Sequence, residues 1–314
     1  MGVKTPKPEP DAARYIPAGS EVNPFRKVRL HYYYPRSFDP SSVQRLPPSP
    51  VLITVNNGLF TLNSHGHDDA FCRYLANNTN HIIIDASYAL APEHPFPTAL
   101  EDLSAVVRYV LGNSAFNHRA VSIGGFGTGA TLAASLAVNY FPAGTFKNLI
   151  AFYPWLNFSV AYERKRPFVR GEPKLGGLDF LAPKIMRFFQ SCYLVNGTQL
   201  AALDAGEGDT ASGAPFVTIL DDPRLSPDKA DLKRFPRRCL FVTAEYDCLA
   251  RDAERLAARL RRVNNTGEGL RREVAVHRVW GCGHGFDKDL EVGSERAMVT
   301  EDVYEAVAAF LNRG

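Results

Sequence analysis

The sequence predicts an α/β protein in which a mainly parallel β-sheet lies between layers of helices. Short runs of apolar, β-branched or aromatic residues alternate along the chain with longer segments whose apolar residues recur at helical spacing. Several of the short runs are apolar almost throughout, which is typical of strands buried on both faces of a parallel sheet. With 314 residues and 45% hydrophobic content, the chain is large enough for one substantial core, so we expect one large domain.

The order of these segments predicts the organisation of the chain. The predicted strands are KVRLHYYY, VLITV, HIIIDA, AVSIG, NLIAFY, CLFVTA and REVAVHRVW. The predicted helices are PTALEDLSAVVRYVLG, TGATLAASLAVNYF, ARDAERLAARLRRV and ERAMVTEDVYEAVAAFL. Residues 1–24 are predicted to form an N-terminal arm, loose or part of a cap, and residues 25–314 the main domain. A Gly- and Pro-rich insertion at about 160–232 contains the amphipathic FLAPKIMRFFQSCYL and is predicted to cap the sheet, with AGEGDTASGAP as its loop tip.

Composition excludes several classes of partner. The net charge is only +3 and the basic residues are dispersed, so we expect no nucleic-acid binding. No stretch approaches the roughly 18 apolar residues of a membrane span, and the first residues lack the apolar core of a signal peptide. The five cysteines show no paired spacing, as expected in a reducing compartment. The expected location is therefore the cytoplasm, and a homodimer is left open.

The glycine-rich segment GGFGTGATLA follows one predicted strand and begins a helix, and it has two interpretations. Gly125, Gly127 and Ala130 satisfy the G-x-G-x-x-G/A pattern of a dinucleotide-binding turn. That fold also needs an acidic residue at the end of the next strand, and NLIAFYPW supplies none. The other interpretation aligns Gly125–Gly129 with the nucleophile elbow G-x-S-x-G, which places Gly127 where the nucleophile stands. Because the first pattern is incomplete, the second is favoured and we predict no cofactor.

Three further segments carry a family resemblance that supports the elbow. YALAPEHPFPTALED (88–102), LSPDKADLKRFPRRCLFVTAEYDCLARDAERLAARL (225–260) and GCGHGF (281–286) occur in this order. Together they resemble the hormone-sensitive-lipase branch of α/β-hydrolases, which includes arylacetamide deacetylases and plant carboxylesterases. The resemblance spans residues 25–312 approximately, except the cap. It implies the α/β-hydrolase fold: a mostly parallel eight-stranded sheet, helices on both faces, and a cap made by the arm and the middle insertion.

The same resemblance assigns the catalytic residues and shows where this chain departs from the pattern. Asp247 in AEYDCL matches the acid of the triad and His284 in CGHGF matches the base. The family's elbow usually reads G-D-S-A-G, whereas this one reads GFGTG, so the serine is replaced by Gly127. The family's oxyanion loop H-G-G-G-F corresponds here to the segment NNGLF, residues 56–60. We therefore expect a rebuilt site rather than a single lost nucleophile.

Without a serine, the acyl-enzyme route of this fold is closed, but acid–base chemistry remains available. A His284–Asp247 dyad can take a proton near neutral pH, because the carboxylate fixes the imidazole tautomer. We predict a non-hydrolytic enzyme of the cyclase, lyase, dehydratase or isomerase type, in keeping with the dehydratases and cyclases among its plant relatives. Its partner is then a small apolar organic molecule that contains a carbonyl group. The predicted ligand-binding residues are Asn56, Asn57, Gly58, Gly127 and Thr128.

Two alternatives accompany this prediction. The first is a non-catalytic small-molecule binder, receptor or partner protein, because the family that the chain resembles includes a receptor. The second is a residual or unconventional carboxylesterase. Thr128, Cys248 and Cys282 are the candidate replacement nucleophiles, and each is expected to point elsewhere. His65 and His67 in NSHGHDD resemble metal ligands, but no further residue completes a site at suitable spacing, so we predict no metal.

Overall fold

The computed structural model describes residues 7–18, 25–38, 47–177, 183–194, 219–263 and 271–313. Its centre is an eight-stranded sheet with the strand order β1-β2-β4-β3-β5-β6-β7-β8. The first two strands pair antiparallel with each other, and β2 pairs antiparallel with β4. All remaining neighbours are parallel. The predicted mostly parallel eight-stranded sheet is therefore confirmed.

The strands and helices follow one another along the chain in the predicted alternation, except that the strand Ala12–Pro17 and the helix Asp69–Asn78 were not among the predicted elements. The strands are β1 (Ala12–Pro17), β2 (Lys27–Tyr33), β3 (Ser49–Val55), β4 (Ile82–Ala86), β5 (Phe116–Phe126), β6 (Asn148–Phe152), β7 (Arg238–Ala244) and β8 (Glu273–Val279). The helices are α1 (Asp69–Asn78), α2 (Thr98–Leu111), α3 (Thr128–Ser135), α4 (Pro183–Tyr193), α5 (Ala250–Val263) and α6 (Glu295–Asn312).

Helices cover both faces of the sheet and divide the core into two clusters. One cluster joins one face of the sheet to α2, α3 and α5, and the other joins the opposite face to α1 and α6. The strands β4 and β6 are buried at every residue, because a helix layer lies on each side of them. This explains why their sequences are continuous in apolar residues rather than alternating.

The N-terminal segment differs from the prediction of a loose arm. Ala12–Pro17 is an edge strand that pairs with β2 over six residue pairs. Most of this strand is solvent-exposed, so its sequence shows little of the apolar pattern that marks the other strands. An edge strand with one partner needs few buried side chains, and the prediction missed it for that reason.

The predicted cap region contains the amphipathic helix at the expected place. Helix α4 lies within FLAPKIMRFFQSCYL, and its Tyr193 is buried. The Tyr193 ring stacks on Phe60 with ring centroids 3.8 Å apart, and the Tyr193 carbonyl accepts a hydrogen bond from the Phe96 N–H. The cap helix therefore contacts the loop after β3 directly. The predicted loop tip AGEGDTASGAP lies outside the described residues.

The parallel arrangement brings the predicted site residues to one edge of the sheet. Strands β3, β5, β6, β7 and β8 run in the same direction, so the segments after them meet at their carboxyl ends. The segments that emerge there begin with Asn56, Gly127, Tyr153, Glu245 and Trp280. The candidate active site is built from these five connections.

Candidate active site

The turn between β5 and α3 has the backbone conformation of a nucleophile elbow. Gly127 adopts φ +50° and ψ −117°, a combination that side chains strongly disfavour. Its N–H donates to the Phe152 carbonyl at 2.9 Å, and its carbonyl accepts from the Thr131 N–H at 3.2 Å. The elbow is therefore held on both sides while it presents no side chain. This geometry supports the elbow interpretation of the glycine-rich segment over the dinucleotide-binding one.

The carboxamide of Asn57 occupies the space that a side chain at position 127 would need. A Cβ built on Gly127 would lie 2.6 Å from Cγ and Oδ1 of Asn57 and 2.7 Å from Nδ2. All three distances are far below normal van der Waals contact. A side chain at position 127 therefore requires the Asn57 carboxamide to turn away from its present position.

Asn57 also engages the residue after the elbow. The Thr128 N–H donates to Asn57 Oδ1 at 3.3 Å, and the Thr128 hydroxyl donates to the same oxygen at 3.1 Å. In this fold, the N–H of the residue after the nucleophile is one of the donors of the oxyanion hole. Asn57 therefore binds this donor with its own carbonyl oxygen. Because the oxygen faces Thr128, the amide hydrogens on Nδ2 are available to another group.

The neighbouring asparagine supports this loop from within. Asn56 is only 2% exposed, and its Nδ2 donates to the Ser64 hydroxyl at 2.6 Å. The Ser64 hydroxyl in turn donates to the carbonyl of Asn57. Asn56 therefore holds the shape of the loop through Nδ2, while its buried Oδ1 has no hydrogen-bond partner among the described residues, and its role in ligand binding stays a prediction. Asn57 is the asparagine that reaches the elbow.

The rest of the loop has an unusual backbone at two residues that are not glycine. Leu59 and Phe60 have φ of +47° and +64°, in the left-handed region that favours glycine. Such a residue costs about 1–2 kcal/mol relative to a normal conformation. The Leu59 side chain packs against the core. At Gly58 a Cβ would lie 2.3 Å from the Leu62 carbonyl, so this position accepts only glycine.

The two predicted dyad residues form a hydrogen-bonded pair. His284 Nδ1 lies 2.9 Å from Asp247 Oδ2. The other oxygen of this carboxylate accepts the Leu249 N–H at 2.9 Å, which fixes its orientation. The Asp247 side chain is 2% exposed and that of His284 is 16% exposed, so the pair opens to solvent on the imidazole side. In the described part of the chain, His284 Nε2 has no hydrogen-bond partner.

The imidazole rests on a buried tyrosine that sequence reasoning did not assign to the site. The Tyr153 ring lies 4.4 Å from the His284 ring, and its hydroxyl donates to Asp287 Oδ1 at 2.7 Å. Burial, together with the negative charge of Asp287, raises the pKa of Tyr153 well above its usual value. Tyr153 is therefore a neutral hydrogen-bond donor that anchors the floor beneath the imidazole.

Beyond this tyrosine lies a buried ion cluster. Lys288 Nζ is 2.6 Å from Asp287 and 2.5 Å from Asp68, two carboxylates with almost no exposed surface. Burial alone would lower the pKa of Lys288, but the two carboxylates outweigh it and raise the pKa. Burial raises the pKa of Asp68 to about 6, and Lys288 limits that rise. The signal was present in the sequence, since Asp287 and Lys288 follow His284 by three and four residues.

The candidate replacement nucleophiles do not face the dyad as a serine would. Cys248 and Cys282 are 2% and 0% exposed. Burial raises the pKa of Cys248 to about 12 and that of Cys282 to about 11, so both thiols stay protonated near neutral pH. The Thr128 hydroxyl is bonded to Asn57 rather than to an imidazole.

The histidines of NSHGHDD separate in the structure. His67 is exposed, whereas His65 turns inward. There it meets His31 from β2 and Asp85 from β4, and these three offer ligand atoms that all lie within 4.8 Å of one another. The prediction of no metal considered only neighbours in the sequence, and the structure adds a histidine from a distant strand.

Comparison with known proteins identifies relatives of this architecture. The sequence profile of a family described as alpha/beta hydrolase fold matches residues 52–288. Carboxylic ester hydrolase LipN of Mycobacterium tuberculosis is 24% identical over 275 residues, which cover 84% of this chain and 64% of that protein. Esterase LipI of the same organism is 32% identical over 92 residues, which cover 28% of this chain and 29% of that protein. These matches confirm the family resemblance drawn from the motifs.

Solved structures agree on the fold. A hyperthermophilic esterase from the archaeon Pyrobaculum calidifontis superposes with a TM-score of 0.70 at 23% identity, covering 98% of this chain and 87% of that one. EstE1, a carboxylesterase cloned from a metagenomic library, gives a TM-score of 0.70 at 21% identity and covers 98% and 91%. None of the helices in the described ranges is long and apolar enough to cross a lipid bilayer.

Proposed function

The chain belongs to the alpha/beta hydrolase fold family, and from that premise we propose that it is an acid–base enzyme without a covalent nucleophile. Its substrate is a small apolar molecule with a carbonyl group, and its reaction is an elimination, cyclisation or isomerisation. The observation that carries this proposal is the combination at the elbow. Asn57 fills the place of a nucleophilic side chain at Gly127, while the His284–Asp247 pair remains hydrogen-bonded at 2.9 Å.

In this proposal His284 is the general base. Asp247 accepts the Nδ1–H, so the lone pair of Nε2 is the one available to a substrate proton. A positioned base of this kind accelerates proton transfer by about 10²–10⁴. That range is sufficient for proton removal beside a carbonyl group, and it requires no acyl-enzyme.

Asn57 is the proposed binding group for the substrate oxygen. Its Oδ1 is held by the Thr128 N–H and hydroxyl, and within the described ranges Nδ2 donates to no partner, so its two hydrogens can be offered to an acceptor. A carbonyl oxygen that becomes an enolate gains negative charge during proton removal, and a fixed amide donor stabilises that charge. One such donor is typically worth about 10²–10³ in turnover. In the oxyanion loop, the side-chain amide of Asn57 thus takes the role that backbone N–H groups have in the family pattern.

We infer an apolar substrate from the aromatic packing around this loop. Phe60 stacks on Tyr193 of the cap helix, and its ring also lies 6.1 Å from that of Phe158. Each of the three residues is at most 2% exposed, so these rings pack the cap helix onto the loop and offer no free surface. Apolar surroundings of this kind favour an apolar ligand, while the few polar groups fix its orientation.

Two alternatives are each favoured by one observation. The named relatives are ester hydrolases, which favours a residual esterase. The Asn57 carboxamide lies in the catalytic space and bonds an oxyanion donor, which favours a non-catalytic binder. The binder keeps ligand affinity without turnover, whereas the esterase must form an acyl adduct.

The test is solvent exchange at carbon beside a carbonyl group. Enolisable aryl ketones and β-hydroxy ketones are incubated with the protein in D₂O, and α-proton loss and product formation are followed by NMR. We expect wild type to accelerate exchange by about 10²–10⁴ on its preferred compound. His284→Ala should abolish this acceleration and Asn57→Ala should reduce it, while His118→Ala, an exposed histidine away from the site, should leave it unchanged.

Two results would overturn the proposal. If compounds bind but wild type and His284→Ala exchange at the same rate, the protein is a binder. If wild type releases a stoichiometric burst from p-nitrophenyl acetate and an acyl adduct appears by mass spectrometry, a covalent nucleophile exists and the esterase reading is right.

A further inference from the structure

A second group of chemically active side chains lies on the α1 face of the sheet, away from the dyad. His31 on β2 and Asp85 on β4 are directly opposite each other in the antiparallel register. His65 reaches them from the segment between β3 and α1, and its Nε2 lies 3.3 Å from Asp85 Oδ2. One ligand atom from each of the three residues lies within 4.8 Å of the other two.

These groups are buried and poorly satisfied. His31 is 7% exposed and Asp85 is 0% exposed. Among the described residues, neither ring nitrogen of His31 has a hydrogen-bond partner, and Asp85 Oδ2 has none either. Leaving such a group unpaired costs about 1–3 kcal/mol, so each unpaired atom calls for a physical explanation. A histidine buried with both nitrogens empty gains nothing for the fold over an apolar residue.

We propose that His31, His65 and Asp85 bind a divalent transition-metal ion of the Zn²⁺ type. Two imidazole nitrogens and one carboxylate oxygen form a donor set that Zn²⁺ commonly takes, with a fourth position left for water. Tetrahedral ligands about 2.0–2.2 Å from a metal lie roughly 3.3–3.6 Å from each other. The His65–Asp85 separation already matches this edge, and His31 lies within reach of both.

Small side-chain changes complete the site. The His31 and His65 rings stack with centroids 4.0 Å apart and an interplanar angle of 30°, so at least one ring must rotate for both nitrogens to face one ion. His65 Nε2 also lies 3.1 Å from the Asp85 carbonyl, and metal binding requires the ring proton to reside on Nδ1 instead. Neither change moves the backbone.

The surroundings supply an outer shell for the ion. Asp69 Oδ1 lies 4.0 Å from His31 Nδ1 and accepts a hydrogen bond from the Tyr33 hydroxyl at 2.5 Å. A carboxylate beside a ligating histidine orients the ring and increases its basicity.

Metal binding here would also stabilise the loop that carries Asn57. His65 directly follows Ser64, whose hydroxyl bonds Asn56 and the Asn57 carbonyl. Fixing His65 through a metal therefore anchors one end of the segment that shapes the elbow. The metal is thus a structural support for this loop, and the inference does not depend on the reaction proposed above.

The experiment measures Zn²⁺ binding to the full chain after EDTA treatment and dialysis. ZnCl₂ is titrated in competition with a chromophoric chelator, and bound metal is counted by mass spectrometry. We expect one Zn²⁺ per chain and a higher melting temperature with ZnCl₂ than with EDTA. His31→Gln, His65→Gln and Asp85→Asn should each weaken binding at least about 100-fold, since even outer-shell partners are worth 10–100-fold.

The control is His67→Ala, which removes an exposed histidine two residues from His65 and should bind Zn²⁺ as wild type does. A measurement on wild type alone tests the proposal even if the ligand variants fail to fold. Its Co²⁺ complex should show two paramagnetically shifted, exchangeable imidazole N–H signals. The proposal is overturned if wild type binds no stoichiometric Zn²⁺ at micromolar concentration, if soluble ligand variants keep wild-type affinity, if His67→Ala loses binding equally, or if the Co²⁺ complex lacks these signals.

Discussion

The Gly127→Ser variant tests quantitatively how tightly the elbow is packed. A Cβ there lies 2.6 Å from Asn57 Oδ1, on a backbone with φ +50°. We expect Gly127→Ser to lower the free energy of unfolding by about 2–6 kcal/mol. Backbone strain supplies about 1–3 kcal/mol of this. Displacing Asn57 from its two hydrogen bonds with Thr128 supplies about 0.5–1.5 kcal/mol for each bond.

A double-mutant cycle with Asn57→Gly isolates the steric part. Shortening Asn57 removes the three atoms nearest to the new side chain, so the double variant should be more stable than the sum of the single effects predicts. The expected coupling is about 1–3 kcal/mol, measured by urea denaturation. Gly144→Ser is the matched control, because Gly144 has φ +90° but no atom lies within 4 Å of its Cβ position. The Gly144→Ser variant therefore measures the cost of backbone strain in the absence of a steric clash.

Activity gives the same cycle a second readout. We expect the Gly127→Ser single variant to remain inactive towards p-nitrophenyl acetate, since Asn57 obstructs the serine and bonds the Thr128 N–H. The double variant should gain an acylation burst, because the His284–Asp247 pair is intact. The reasoning is refuted if Gly127→Ser costs no more than Gly144→Ser, if no coupling to Asn57 is found, or if the single variant alone is an efficient esterase.

Three further outcomes are expected from the rest of the molecule. Lys288→Met should destabilise the fold by about 3–5 kcal/mol in denaturant, because it leaves two buried carboxylates without their cation; a loss below 1 kcal/mol would contradict the ion cluster. Burial lowers the pKa of His81 to about 4, so the unfolded chain binds more protons between pH 6.5 and 4 and stability falls as the pH falls through that window. His81→Gln should remove up to about 3 kcal/mol of that fall, and an unchanged pH profile of the free energy of unfolding would count against it. Phe60→Ala should cost about 3–5 kcal/mol and speed hydrogen exchange in the cap helix through loss of the Tyr193 stack; equal exchange in both proteins would argue against this coupling.

Most of the fold could be predicted because strands that are buried on both faces are apolar at nearly every position. Seven of the strands and the cap helix carry that signal or a helical period. The family resemblance implied an eighth strand but did not place it at Ala12–Pro17, since an exposed edge strand has few apolar residues to reveal it. A local sequence pattern reveals a strand through its buried apolar residues, so a strand that is mostly exposed leaves little pattern in the sequence.

The candidate site was also predicted only in part from the sequence. The motifs and their order placed His284 and Asp247 together, because a parallel sheet brings the carboxyl ends of its strands to one edge. The distinction between Asn56 and Asn57 was not visible, since two adjacent asparagines differ only in where the loop points them. Tyr153 beneath the imidazole could not be predicted either, because its role arises from a contact across 131 residues of the chain, between positions 153 and 284.

The crowding at the elbow affects the order in which substitutions at positions 57 and 127 are tolerated. From the present chain, a serine regained at position 127 arrives against an occupied space, so that first step is penalised before any benefit can appear. Shortening residue 57 beforehand opens the space and makes the second step tolerable. A serine at position 127 is therefore coupled to residue 57, because it requires the Asn57 carboxamide to leave its present position.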